Sequence, residues 1–462
     1  MNLSETSFHT LPLAAGLLDN LASLGYRDMT AIQAAALPRI LAGSDLVGQA
    51  KTGSGKTVAF GLGLLNKLEV KRFAVQGLVL CPTRELADQV ARELRKLARG
   101  VHNVKILTLC GGMPFGPQVG SLAHGAHIIV GTPGRVHDHL RKRNLKLEQV
   151  HTLVLDEADR MLEMGFQETL DAIVAEVPAS RQSLLFSATY PEQIQQIARR
   201  VMRDPELLKI AEQHRRSTID QRFYQVENNE ARADAVARLL LDRRPDSAVV
   251  FCNTRRDTEE LASVLRDYRL NVIALHGELD QRARDRALVC FANHSASVLV
   301  ATDVAARGLD IEDLNMVINY HIARDAEVHT HRVGRTGRAG ASGEAASLFT
   351  EREQHKLARL EADGVELLMG ELPHPAVLDG PAYSPPMHCL QLDVGKKQKI
   401  RPGDILGALT RGERVAGSDV GKIHIFDQCA YVAVKRRAAD EALRVLSAGK
   451  LKGRSVRARK IR

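Results

Sequence analysis

Eight short apolar runs, in two sets of four, constrain this chain more than any other feature. The first set is GLVLCPT (77–83), HIIVGTP (127–133), TLVLDEAD (152–159) and SLLFSAT (183–189). The second is AVVFCNT (248–254), VIALHG (272–277), VLVATD (298–303) and MVINYHI (316–322). Each run is nearly continuous, so a strand made from it is apolar on both faces and needs cover on both. Helical patterns such as RELADQVARELRKLAR (84–99) and RRDTEELASVLRDYR (255–269) lie between them. Strands alternating with helices in this way build a doubly wound parallel sheet, here made twice. The 462 residues exceed one ordinary core, and 26% charged with 44% hydrophobic residues is the balance of a globular chain in water. No apolar stretch reaches membrane-spanning length, and MNLSETSFHT lacks the basic, apolar, small-residue order of a signal peptide. The reading is a cytoplasmic protein with no membrane partner. Six cysteines (81, 110, 252, 290, 389 and 429) form no Cys-x-x-Cys pair and read as buried free thiols of a reducing compartment.

The charge is uneven. Residues 387–462 hold 18 Lys and Arg against 7 Asp and Glu, or +11, which leaves −2 for residues 1–386 of a chain whose total is +9. A positive excess confined to one segment suggests a separate module with a polyanionic partner. The expected organisation is an α/β domain over 1–208, a connector and second α/β domain over 209–371, a Pro-rich linker over 372–386 and a basic domain over 387–462. Residues 351–371 look helical. In the last stretch MHCLQLDV, GKIHIFD, AYVAVKRR and RSVRARKI read as strands, and PGDILGALTRG and ADEALRVLSAG as helices. The order βαββαβ is the layout of an RNA-recognition motif, a small α+β fold.

Open α/β sheets bind ligands at the carboxyl ends of their strands, and the chemistry-bearing residues fall there. AKTGSGKT (50–57) has the form of a phosphate loop. Gly53 and Gly55 let backbone N–H groups turn toward phosphate oxygens, Lys56 supplies a point charge, and the Thr57 hydroxyl can ligate Mg²⁺. Ala50 stands where the strict pattern has Gly. Asp156, Glu157 and Asp159 crowd three acids at one strand end, an arrangement that calls for a cation. The reading is Mg²⁺ on a nucleoside triphosphate: Asp156 holds the metal through water, and Glu157 orients and deprotonates the attacking water. Asp159 is expected to bond the hydroxyls of Ser187 and Thr189. HRVGRTGR (331–338) supplies Arg335 and Arg338, three apart and able to share a helix face, as cations for the developing charge. They belong to the second sheet domain, so catalysis is conditional on domain closure.

These motifs, over residues 8 to about 340, resemble those of DEAD-box RNA helicases. The resemblance implies two RecA-like domains, ATP and Mg²⁺ as cofactors, and ATP hydrolysis coupled to local RNA strand separation. GYRDMTAIQ (25–33) is similar to the family's Q motif, with Met29 where Pro is frequent. It implies that Gln33 reads the adenine edge and Phe8 stacks on the ring. The phosphate loop Ala50, Lys51, Thr52, Gly53, Ser54, Gly55, Lys56 and Thr57 would bind ATP, and Asp303 in ATDVAARGLD (301–310) the ribose. RNA contacts of the family resemble PTREL, GG, TPGR and Q-x-x-R, which brings in Arg84, Gly112, Thr132, Arg135, Gln281 and Arg284, with Thr302. Such hydroxyls, glycine N–H groups and arginines suit phosphates and 2′-hydroxyls rather than base edges. DVGKKQKIRPGDILGALT (393–410) and AGSDVGKI (416–423) resemble the C-terminal domain of a bacterial group within the family. That group implies a hairpin of large-subunit ribosomal RNA as target, pre-ribosomal particles as partners and a monomer as the working form. Lys396, Lys397, Lys399 and Arg401 form the cationic loop. Tyr431 is the one stacking aromatic on the expected sheet, so recognition through loops and shape is expected. An ATP-gated clamp or scaffold with incidental turnover is the alternative.

Overall fold

The computed structural model describes residues 6–50, 53–209, 219–303, 314–337, 342–412 and 414–461. They fall into two compact units, one ending in the strand at 206–209 and one beginning at 219.

The first unit is built on seven parallel strands: β1 (Leu46–Gln49), β2 (Gly77–Leu80), β3 (Ile106–Leu109), β4 (Ile128–Gly131), β5 (Thr152–Asp156), β6 (Gln182–Ser187) and β7 (Glu206–Lys209). Their order is β3-β4-β2-β5-β6-β1-β7. Neighbouring residues of one strand enter opposite cores, as both-face burial demands. Leu46, Val79 and Val154 pack with Phe8, Phe60 and Phe186; Val47, Leu78 and Leu155 pack with Met161 and Ile194 on the other face.

The second unit carries β8 (Ile219–Gln225), β9 (Ala248–Cys252), β10 (Val272–Leu275), β11 (Val298–Thr302), β12 (Met316–Asn319) and β13 (Gly343–Phe349), in the order β10-β11-β9-β12-β13-β8. The helix expected over 351–371 is shorter. A 3-10 turn at Glu351–Glu353 leads into the helix Gln354–Ala362, and Gly364, at φ 91°, ends it. The chain then lies extended beside β8, where Phe223 N–H donates to Leu368 O (2.8 Å) and Gly370 N–H to Phe223 O (2.9 Å). This covers a sheet edge that would otherwise present unpaired backbone. The Pro-rich stretch is not a loose tether: Leu372, Val377, Leu378 and Tyr383 pack against the second unit's core.

The C-terminal part of the same unit follows the expected βαββαβ order. It has β14 (Met387–Leu392), the helix Pro402–Thr410, β15 (Val420–Ile425), β16 (Ala430–Lys435), the helix Ala439–Ala448 and, after a small hairpin of β17 (Lys450–Leu451) and β18 (Arg454–Ser455), β19 (Ala458–Lys460). The hairpin takes up Arg454, so the last sheet strand begins at Ala458. The antiparallel order is β15-β16-β14-β19. One sheet face packs Leu390, Leu392, Val432 and Val434 onto the two helices. On the other face, Cys389 and Tyr431 meet Val289 and Cys290 of the helix Gln281–Ala292. The sheet face that could stack bases is therefore covered, and Tyr431 is 4% exposed.

Candidate active site and RNA-facing rim

One rim of the first sheet carries the residues expected at nucleotide and those expected at RNA side by side. The phosphate loop follows β1, Asp156 ends β5 with Glu157 next in the chain, and Ser187 ends β6; these three strands are neighbours. PTREL, the Gly111–Gly112 turn and TPGR follow β2, β3 and β4, the other neighbouring three. The sheet order itself separates the nucleotide residues from those expected at RNA.

In the phosphate loop Gly53 (φ 82°) and Gly55 (φ 96°) adopt the left-handed backbone that turns N–H groups inward. Lys56 opens the helix Lys56–Asn66, is buried, and donates its Nζ proton to Ala50 O at 3.1 Å. Gln33 Oε1 accepts from Thr30 N–H (2.8 Å), its Nε2 donates to Gly55 O (3.1 Å), and Thr30 Oγ1 donates to Ser54 O (2.8 Å). The Q-motif amide thus grips the phosphate loop in this state. Phe8 is 2% exposed inside the first core, so the ring face expected at adenine is not open here. Lys51 and Thr52 lie outside the described residues.

The acids answer to three different surroundings. Asp156 is buried, and its Oδ1 has no hydrogen-bond partner among the described residues. Burial pushes its carboxyl up to about 6; Lys56 opposes that shift and Glu157 adds to it. Glu157 sits at φ 54°, ψ 52°, before the helix Ala158–Glu163, and its Oε2 lies 3.1 Å from Arg160 Nη1, both side chains buried. Asp159 bonds the SAT segment as expected in part. Its Oδ2 accepts from Ala188 N–H (3.1 Å), Thr189 N–H (3.1 Å) and Thr189 Oγ1 (3.2 Å), while Ser187 Oγ has no partner among the described residues. Ser187 is the correction: Asp159 takes a backbone N–H in its place.

The oxygen donors at this strand end fit Mg²⁺. Asp156 Oδ1 is a buried oxygen without a partner among the described residues, and Thr57 adds a hydroxyl on the first turn of the phosphate-loop helix. Hard oxygen donors of this kind suit Mg²⁺, which takes its other ligands from phosphate and water. Asp156 and Thr57 would hold it, and when bound it would neutralise charge on the phosphates.

On the other half of the rim, Thr83 caps the helix Arg84–Leu97 by accepting from Leu86 N–H (3.3 Å), which starts Arg84 at the strand end. Gly112 has φ 69°, and a Cβ there would collide with the Arg84 guanidinium, so the two expected RNA contacts pack on each other. Thr132 precedes the helix Pro133–Arg141, and Arg135 Nη1 donates to Met113 O and Gln118 Oε1, each at 2.9 Å. Gln118 also accepts from His139 Nε2 (2.9 Å) and donates to Cys110 O (3.1 Å). Sequence reading missed Gln118; a glutamine six positions after the Gly pair was the available signal.

In the second unit Asp280 caps the helix bearing Gln281 and Arg284, and Thr302 ends β11. Asp303, expected at the ribose, has both oxygens engaged: Arg332 Nε and Nη2 donate to them at 2.7 Å each. Arg332 also donates to Asn319 Oδ1, His321 O and Asn253 Oδ1, and is 2% exposed. In this structure Asp303 is a clamp on Arg332, a residue sequence reading left unassigned inside HRVGR. The helix Ala326–Val333 ends before Arg335, which is buried in the following turn. A shared helix face with Arg338 is therefore not what Arg335 offers; Arg338 lies outside the described residues. In the C-terminal domain Lys396, Lys397, Lys399 and Arg401 are exposed on the loop before the helix Pro402–Thr410.

Comparison with known proteins follows the same division. The DEAD/DEAH box helicase family matches residues 30–197, the helicase conserved C-terminal domain residues 231–340, and the DbpA RNA binding domain residues 389–460. ATP-dependent RNA helicase DbpA of Escherichia coli K12 is 51% identical over 455 residues, 98% of this chain and 99% of that protein. DEAD-box ATP-dependent RNA helicase CshA of Geobacillus kaustophilus is 44% identical over 77% of this chain and 76% of its own. Among solved structures, S. cerevisiae Dbp5 bound to RNA and ADP BeF3 superposes with a TM-score of 0.73 at 28% identity, covering 79% of this chain and 96% of that one. Two RecA-like domains, a phosphate loop beside a strand-end acid pair and a DbpA-type RNA-binding domain together make this chain a member of the DEAD-box ATP-dependent RNA helicases, of the DbpA type, which hydrolyse ATP.

Proposed function

We propose that the enzyme uses ATP to open short duplexes in ribosomal RNA, in assembly of the large subunit, working as a cytoplasmic monomer on pre-ribosomal particles. The observation that carries the catalytic reading is the pair Asp156 and Glu157 beside Lys56, one carboxylate with an oxygen unpartnered among the described residues and one followed by a helix. In this reading Lys56 leaves Ala50 O for the outer phosphates, and Glu157 takes the proton of the attacking water. Arg335 and Arg338 neutralise charge developing on the transferred phosphoryl group when the second domain closes. Asp156 and Thr57 hold Mg²⁺. Gln33 exchanges Gly55 O for the adenine edge. Arg84, Gly112, Thr132, Arg135, Gln281, Arg284 and Thr302 grip the RNA backbone. ATP and RNA each favour the closed state, so each strengthens the other's binding.

The covered face of the C-terminal sheet supports recognition by the exposed Lys396–Arg401 loop rather than by base stacking. Replacing Lys396, Lys397 and Lys399 together with Gln should remove the preference for ribosomal RNA fragments in ATPase stimulation and leave stimulation by generic RNA intact. Binding to the ribosomal fragment should lose roughly 2 in salt slope. An unchanged preference would overturn the targeting role of this loop.

A further inference from the structure

Three of the six cysteines, Cys290, Cys389 and Cys429, gather where the C-terminal sheet meets the helix Gln281–Ala292. None has a part in ATP hydrolysis. Cys290 sits on the helix and Cys389 on β14, and both are buried among Val289, Tyr431, Ile273 and Phe426. The two residues share one small cluster, and Asn293, three positions after Cys290, reaches the Cys389 sulfur. The joint is pinned around them. Met387 N–H donates to His294 O (3.3 Å), Lys422 Nζ to Ala292 O (3.0 Å), Arg282 Nη2 to Gln428 Oε1 (3.3 Å) and Asn293 Nδ2 to Cys389 Sγ (3.5 Å).

We propose that Cys290 and Cys389 are a redox modification site, forming a reversible disulfide that locks the C-terminal domain onto the second RecA-like domain. Cys389 is the attacking sulfur. Hydrogen bonds donated by Cys290 S–H and by Asn293 hold its thiol below the usual range, whereas Cys290 is pushed up by that same bond and by burial. The oxidant is a small disulfide such as oxidised glutathione. Cys389, as thiolate, attacks one glutathione sulfur, forms a mixed disulfide and expels a glutathione thiolate, which takes up the released proton. Cys290 then loses its proton, attacks the Cys389 sulfur and expels the second glutathione. Two protein thiols and one oxidised glutathione become one protein disulfide and two reduced glutathiones. The burial of both sulfurs makes transient opening of the joint the entry route. The consequence falls on the helix that also bears Gln281 and Arg284, so oxidation fixes the RNA-binding domain relative to the core's own expected RNA contacts.

The full-length enzyme, equilibrated in glutathione buffers from fully reduced to fully oxidised and mapped without reduction, tests this. A proteolytic peptide pair joined through Cys290 and Cys389 should appear as the buffer is oxidised and vanish on reduction. It should persist in Cys429→Ser and be lost in Cys290→Ser and in Cys389→Ser. Amide exchange at 387–390 should slow by about tenfold on oxidation of the native enzyme. Glutathione adducts alone, a bridge through Cys429, or free thiols in fully oxidised buffer would each overturn the proposal.

Discussion

Asp156 ends a strand of the first sheet and Asp303 follows one of the second, yet their surroundings are opposite. Asp156 keeps a buried oxygen unpartnered among the described residues and a carboxyl pushed up to about 6, whereas Asp303 gives both oxygens to the buried Arg332. The same fold position has been put to two uses. An unsatisfied buried carboxylate costs stability and is retained where a ligand will satisfy it; a doubly bonded one holds its own domain together. In the proposed reading the first domain supplies the metal-holding and water-activating carboxylates, and the second brings Arg335 from the turn behind the Asp303–Arg332 clamp.

The largest test of this asymmetry is Glu157→Gln. Loss of the base should lower ATP turnover by about 10²–10⁴-fold while RNA binding in the presence of ATP is retained. Turnover within a few fold of wild type would remove Glu157 from that role. Next is Arg332→Met, which removes the buried guanidinium and leaves the partly exposed Asp303 and the buried Asn319 oxygen without their donor. It should destabilise the second unit by about 3–5 kcal/mol in denaturant unfolding followed by amide exchange. A change below about 1 kcal/mol would show that the clamp is not what orders this domain. The third uses acid. His329 is buried against Phe223 with both ring nitrogens unpartnered among the described residues, and burial, with Arg332 beside it, lowers its pKa to about 4. Below its ordinary pKa the unfolded chain takes up a proton that the native domain refuses, so stability falls as pH falls. From pH 7 to pH 5 the second unit should lose about 2 kcal/mol, and His329→Leu should flatten that slope.

The eight apolar runs each became a strand, because both-face burial leaves a signature that needs no partner to read. Five others carried no such run. β1 is four residues long and includes Gly48, where the Phe186 ring occupies the space of a Cβ. β3 and β7 are edges of the first sheet and β8 is an edge of the second, so water tolerates their polar positions; β7 is mostly exposed. β13, GEAASLF, opens on small and acidic residues. The acids and the phosphate loop were legible because charge at a strand end is conspicuous. The partners of those groups were not. Nothing in the spacing of Asp303 and Arg332, or of Gln118 and Arg135, announces that they touch, since each pair is brought together by the sheet order rather than by the local chain.

The last test separates a ligand site from a structural one most cleanly. Asp156→Asn removes the carboxylate that burial disfavours. Its raised pKa means that the native protein holds a proton the unfolded chain has already released between about pH 4 and 6, so ionised Asp156 lowers stability above that window. In the nucleotide-free enzyme at pH 7 the substitution should raise stability of the first unit by up to about 3 kcal/mol, with the gain disappearing below about pH 4. The same change should abolish hydrolysis. Asp303→Asn should do the reverse to its own unit, weakening it at pH 7, because there the negative charge is what Arg332 holds. If both substitutions destabilised alike, Asp156 would be a frame residue like its counterpart, and its unpartnered oxygen would not mark a place kept for a metal ion.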